Sequence, residues 1–162
     1  MQEKTTKSIK LTQEKVTSVD FDDFEGLNKH KWTAIRDTNT FYAARHGKVK
    51  IDGNRNLIYM HRVILNTPKE MKTDHIDGDG LNNQRKNLRI CTDSQNAKNR
   101  NKQSDNTSGF KGVSWHKKSK KWRVFIGVNG KQIHLGYFLG KIEAYNVYCN
   151  ACKKYHGEFS KF

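Results

Sequence analysis

The stretch KTDHIDGDGLNNQRKNLRICTDSQNAKNRN, Lys72 to Asn101, decides how the chain is read. It opens on a short β-compatible piece that sets Asp74 beside His75. The run Asp77-Gly78-Asp79-Gly80 forms a tight loop, and a polar segment then leads to Asn87. Leu88-Arg89-Ile90-Cys91 is a second apolar piece, and Thr92-Asp93-Ser94 starts a helix that carries Gln95, Asn96 and Asn99. An acid, an imidazole and several amides are thereby gathered into one hairpin-plus-helix unit.

The chemistry that suits such a set is metal-assisted hydrolysis of a phosphodiester. A carboxylate and an amide oxygen are hard ligands, fitted to a magnesium-like cation that keeps several waters. A neutral histidine, with an unperturbed pKa of about 6.5, can take a proton from an attacking water near neutral pH. The metal then offsets negative charge on the phosphate and the leaving oxygen.

Asp74-His75, the triplet Asn87-Leu88-Arg89 and Asn96 on the following helix together resemble the HNH nucleases, whose catalytic unit is termed ββα-metal. The resemblance implies His75 as general base and Asp74 as a metal ligand. It implies Asn87 as the brace of the loop that aims His75. Asn96 would be the second metal ligand, where other members carry a final histidine. The implied cofactor is one divalent cation, Mg2+ or Mn2+. Family members often read Leu-Asp-Asn-Arg where this chain has Leu81-Asn82-Asn83-Gln84, so no catalytic role is assigned to those positions. Arg85 and Lys86 are candidate contacts to the phosphate near the cut.

Two plainer readings compete. An EF-hand would need oxygen ligands at alternate positions and a glutamate at the twelfth, and Leu81 and Leu88 fall where ligands should be. A polar loop whose Asp, Asn and Gly merely make turns would explain any one of these residues. It does not explain the ordered set.

The composition bounds the rest. With 162 residues and 34% hydrophobic content, no segment can own a large core, and small modules braced by a metal, a partner or each other are expected. The formal charge of +15 points to a polyanionic partner. The charge is unevenly placed: residues 101–162 hold 12 Lys/Arg against 3 Asp/Glu, whereas residues 1–60 hold 11 against 8. No apolar run approaches the eighteen or so residues of a membrane span, and no apolar segment follows the basic N-terminus as in a signal peptide. Three cysteines cannot all pair within the chain. A soluble intracellular protein is expected.

Before the central stretch, Ile9 and Leu11 alternate as in a short strand, and Asp20 or Asp22 could cap a helix ending near Asn28. Trp32–Arg36, Thr40–Arg45 and the segment from Lys48 read as strands, with Asp52-Gly53 as a hairpin turn back through Leu57–His61. His61–Leu65 reads as a short helix, with His61 as a packing residue. A Met-His-Arg piece such as Met60-His61-Arg62 commonly precedes the HNH unit in phage-type members, which extends the resemblance back to about Val19.

Residues 101–107 suit a hinge. Beyond them, Phe110–Trp115, Trp122–Val128 and Lys131–Phe138 are three β-rich runs, separated by the basic turn His116–Lys121 and by Asn129-Gly130. A helix follows from Lys141 to His156, with Ala144, Val147, Tyr148, Ala151 and Tyr155 at helical spacing toward the sheet. The other sheet face can enter a DNA major groove. The order Ser108–Trp115, Lys121–Val124, His134–Phe138 and Gly157-Glu158-Phe159 resembles the Apetala/ethylene-response-factor DNA-binding domain. That resemblance implies a DNA-facing surface from Lys111, Trp115, Lys121, Trp122 and Arg123, with Lys117 and Lys118 of the basic turn gripping phosphate. Cys149, Cys152 and His156 lie at i, i+3 and i+7, but no fourth zinc ligand is evident, and the cysteines read as reduced structural thiols.

The expected fold is α+β: a β-rich supporting region (1–60), a ββα-metal unit (61–101), a linker (102–107), and a three-stranded antiparallel sheet packed on one helix (108–162). The expected function is an HNH DNA endonuclease, homing or nicking in type. It would act as a monomer on double-stranded DNA, away from membranes, in the cytoplasm of a bacterial host, and be phage-encoded. The rival is a non-cleaving DNA-binding regulator that keeps a relic nuclease unit.

Overall fold

The computed structural model describes residues 6–38, 40–49, 55–99 and 105–160. Among them ten strands form four small sheets, accompanied by four α-helices, an α+β architecture. The chain divides into two compact units, Met1–Thr92 and Asp93–Phe162.

The N-terminal unit begins with an antiparallel hairpin of β1 (Thr6–Lys10) and β2 (Val16–Asp20), followed by helix α1 (Phe21–Asn28). Asp20 stands at the N-cap of α1 but makes no side-chain cap bond; its Oδ2 instead accepts from the Arg85 backbone N–H at 2.9 Å. Strands β3 (Thr33–Arg36), β4 (Phe41–Val49) and β5 (Arg55–Tyr59) form an antiparallel sheet in that order. The two strands expected around His46 are one continuous β4, since the register with β5 shifts there without ending it. The expected Asp52-Gly53 turn lies outside the described residues, as do Asn101 and positions 102–104 of the expected linker.

Helix α2 (Met60–Leu65) stops at Asn66, whose left-handed conformation (φ 48°, ψ 48°) lets its N–H bond back to Val63. Strand β6 (Lys72–His75) then pairs with β7 (Leu88–Cys91), and a 3-10 turn at Arg85–Asn87 leads into β7. Ile9, Val19, Trp32, Ala43, Met60 and Leu88 pack into one core. Leu88 of the β6–β7 hairpin is therefore buried with residues of the first strands. The region 6–60 and this hairpin are one packed body, because neither has enough apolar surface to close a core alone.

In the C-terminal unit, helix α3 (Asp93–Lys98) precedes the antiparallel sheet of β8 (Val113–His116), β9 (Lys121–Val128) and β10 (Lys131–Phe138), with β9 central. Asn129 and Gly130 both take positive φ (50° and 76°), the backbone that a two-residue hairpin of matching twist demands. Helix α4 (Lys141–His156) lays Ala144, Tyr148, Ala151 and Cys152 against Val113, Val124 and Ile126. The helical face is rotated from the expected one. Tyr155 is exposed, and His156 turns inward, where its Nε2 meets the Gly127 carbonyl at 2.8 Å. Burial holds the His156 pKa below the ordinary histidine value. None of the three cysteines is in a disulfide.

Candidate nuclease site

The site is built on β6, where Asp74 and His75 are adjacent and both buried. The His75 ring is oriented by a relay that starts in β2. The Thr17 hydroxyl donates to the Leu81 carbonyl at 2.7 Å, so its oxygen must accept from the Asn83 amide Nδ2 at 2.8 Å. The Asn83 Oδ1 is thereby turned to His75, 3.1 Å from Nε2. Accepting there requires Nε2 to carry the proton, and the basic lone pair falls on Nδ1. Burial is the main influence on the His75 pKa and lowers it, partly countered by Asn83 and by the carboxylates of Asp77, Asp74 and Asp79. The imidazole is neutral at pH 7, in one tautomer.

The sequence context gives Asn83 no role, yet it is fully buried and touches the central histidine. The adjacent backbone explains how it arrives. Ser18 N–H donates to the Leu81 carbonyl at 2.9 Å, and Asn83 N–H donates to the Ser18 carbonyl at 2.8 Å, so the loop runs alongside β2 like an added strand.

Asn87 sits where a brace is needed. Its Oδ1 accepts from the Asp77 backbone N–H (3.1 Å), and its Nδ2 donates to Asp77 Oδ1 (2.9 Å) and to the Asn82 carbonyl (2.8 Å). Asp77 also accepts from the Asp79 backbone N–H and the Asn82 amide. Burial alone would raise the Asp77 pKa, but these hydrogen bonds hold it below the ordinary carboxylate value. Gly80 closes the loop because a Cβ there would lie 2.5 Å from the Phe41 carbonyl oxygen and the Tyr42 ring.

Asp74 has a cross-strand partner. Arg89, its register neighbour on β7, donates from Nε (2.9 Å) and Nη2 (2.7 Å) to the same oxygen, Oδ2. The pair is buried, with side-chain exposures of 12% for Arg89 and 7% for Asp74. Asn96, the other candidate ligand, is on α3 in the C-terminal unit. Among the described residues no group of three or more His, Cys, Asp or Glu side chains gathers as a metal cage. A carboxylate such as that of Asp74 is the donor type taken by a magnesium-type ion, which binds through one or two protein oxygens and keeps water in its remaining positions.

Tyr42 and a second histidine complete the surroundings. The His61 ring meets His75 edge-on at 5.1 Å, and Tyr42 lies 5.7 Å from His75. Burial first, then the nearby His75 and Arg62, drives the His61 pKa down to about 3. His61 therefore stays neutral and adds no charge beside His75.

The expected phosphate contacts separate. The Arg85 guanidinium is engaged by Asp23 through two bonds of 2.8 and 2.7 Å, whereas Lys86 is exposed. In the C-terminal unit, Lys111 donates from Nζ to the Lys98 carbonyl at 2.8 Å, closing the end of α3. Lys117, Lys118 and Lys121 are exposed. Register pairs Trp115 with Trp122 and Trp122 with Phe138; Trp122 and Phe138 pack against the core that α4 covers, whereas Trp115 is 46% exposed. Arg123 points to the opposite face, opposite Ser114 and Tyr137. The expected DNA-facing residues therefore do not share one surface: strand alternation puts Trp122 in the core rim and Arg123 outside.

The HNH endonuclease family model matches residues 59–98, which contain β6, β7 and α3. Protein 3.8 of Escherichia phage T7 is 36% identical over 95 residues, covering 59% of this chain and 78% of that protein. No solved structure matches the chain. Among the described residues no helix is long and apolar enough to cross a membrane. With its buried Asp-His pair on a strand-turn-strand frame, the chain belongs to the family of phage T7 Protein 3.8 and carries an HNH endonuclease domain at residues 59–98.

Proposed function

We propose that the protein is a metal-dependent DNA endonuclease in which His75 activates water through Nδ1. The observation that carries this reading is the relay from Thr17 through Asn83, which supports a neutral His75 with its proton on Nε2 and its basic lone pair on Nδ1. In this reading His75 takes the proton from the attacking water, Asn87 keeps the loop after His75 in place, and Asp74 and Asn96 hold one magnesium or manganese ion. That ion would supply stabilisation of the negative charge that develops on the phosphate and the leaving oxygen. The C-terminal unit, which resembles the Apetala/ethylene-response-factor domain in sequence, adds affinity through exposed Lys117, Lys118 and Lys121 and through half-buried Arg123, and Lys86 meets the phosphate near the cut. One His75-centred site fits a monomer that nicks one strand, of the kind used in homing, in the cytoplasm of a phage-infected bacterium.

A second reading is a DNA-binding regulator with a relic nuclease unit. The contact between Arg89 and Asp74 favours it, because a guanidinium already occupies one oxygen of the carboxylate that would hold the metal. One experiment separates the two. Supercoiled plasmid carrying the target is incubated with substoichiometric protein and magnesium or manganese, alongside the His75→Ala variant. An endonuclease converts the plasmid to open circle, and the variant loses at least about a hundredfold in rate while keeping its gel-shift affinity. Equal affinity with no cleavage by either protein establishes the regulator.

A further inference from the structure

Beside His75 the N-terminal unit has a feature that hydrolysis leaves unused. It is a cleft of about 380 Å³ whose lining includes Arg36, Asp37, Tyr42, Tyr59, His61 and Lys72. At its base His61 is only 8% exposed, and its Nδ1 is buried without a hydrogen-bond partner among the described residues. Buried polar atoms are nearly always satisfied. The His61 ring is itself part of the lining of the cleft.

The remaining lining narrows the ligand. Tyr59 stacks on His61 with centroids 5.3 Å apart and planes at 19°. Tyr42 stands edge-on to both, at 6.1 Å from Tyr59 and 5.4 Å from His61. Such rings give the flat apolar wall on which nucleobases stack. Arg36 and Lys72 are exposed at the rim, where cations grip a phosphate. Asp37, at the same rim, repels a second phosphate and accepts from an exocyclic amine. The volume lies within the range of about 300–1,000 Å³ found for small organic ligands. A free anion would use the cations but leave the aromatic wall unused.

We propose that this cleft binds one nucleotide of the DNA strand, its base against Tyr42 and Tyr59 and its phosphate on Arg36 and Lys72. The His61 and Tyr42 rings lie 5.1 and 5.7 Å from His75, so the bound nucleotide neighbours the phosphodiester presented to that histidine. Only this address along the strand rests on the hydrolytic reading; the binding does not.

The test reads binding without cleavage. The full-length chain, free of divalent metal, is titrated with a 5′-phosphorylated deoxydinucleotide while the histidine and tyrosine ring signals are followed by NMR. The expected result is a saturable shift of the His61, Tyr42 and Tyr59 rings with one midpoint. Arg36→Gln, at an exposed position, should weaken that midpoint about fivefold or more with its unliganded spectrum unchanged. Inorganic phosphate alone should leave the Tyr59 ring unmoved. The proposal is overturned if the His61 and Tyr59 rings do not respond. It is equally overturned if phosphate alone reproduces every shift at the same midpoint. A protein that shows the ring shifts but never cuts DNA keeps the cleft and loses the hydrolytic reading, and one that cuts without them does the reverse.

Discussion

Asn83 Oδ1 lies 3.1 Å from His75 Nε2, and this amide rather than a carboxylate sets the tautomer of the central histidine. An amide orients the ring without adding the negative charge that would favour imidazolium. Replacing Asn83 with Asp supplies that charge at the same position. The acid limb of the pH–rate profile for kcat/KM should move up by about one unit, because the protonated, inactive form of His75 is stabilised. A profile that falls in amplitude without moving would mean that Asn83 acts only through packing.

Thr17 is the other end of the same relay. Thr17→Val keeps the shape but removes the hydroxyl, leaving Asn83 Nδ2 without its acceptor and the Leu81 carbonyl with the Ser18 N–H alone. The N-terminal unit should lose about 1–3 kcal/mol, measured by urea unfolding, and cleavage should fall although Thr17 touches no reacting group.

Acid should weaken the N-terminal unit. The His61 pKa is about 3 when folded, against about 6.5 when unfolded, so unfolding takes up a proton throughout that interval. The folded-state pKa is depressed, so the His61 term is absent above about pH 6.5 and destabilises progressively as pH falls toward 3. Stability should drop by about 1.4 kcal/mol per unit, or about 2 kcal/mol by pH 5. The lowered pKa of His75 acts in the same direction. Unfolding curves at pH 7 and pH 5 should differ less in His61→Gln than in the parent.

The buried Asp74–Arg89 pair gives a metal-linked prediction. Arg89→Met should cost about 3–5 kcal/mol by leaving Asp74 opposite an apolar side chain. Added magnesium should raise the melting temperature of this variant more than that of the parent if Asp74 is a metal ligand. Identical magnesium responses would remove Asp74 from that role.

The basic turn can be tested through salt. Changing Lys117, Lys118 and Lys121 together to Gln should lower the slope of log affinity against log salt by up to about 2.7, at about 0.9 for each phosphate that is no longer neutralised. An unchanged slope would place those lysines away from DNA.

Local signals carry far in this sequence. The Asn129-Gly130 hairpin, the Lys141–His156 helix and the β6–β7 pair are legible because turn chemistry and periodicity act over a few residues. What stays hidden depends on distance or on rotation. Asn83 is placed by Thr17, 66 positions away, and Arg85 is claimed by Asp23, 62 positions away. Neither partner has any local mark. The inward turn of His156 has no signal in the helical pattern, because a histidine looks polar until a carbonyl, here that of Gly127, satisfies its ring. Trp122 and Arg123 read along the chain as one basic aromatic surface, but neighbours on a strand face opposite sides.

The strand-like exchange between Ser18 and the Leu81–Asn83 loop has a consequence for inheritance. The segment recognisable as a family domain, residues 59–98, holds Asn83 but not the Thr17 that aims its amide at His75. A recombination that moved this segment alone would deliver His75 with neither Thr17 nor the β2 edge to fix its ring. A piece of gene that carries His75 together with both residues of its relay has to reach back into β2 and run at least from Thr17 to Asn83.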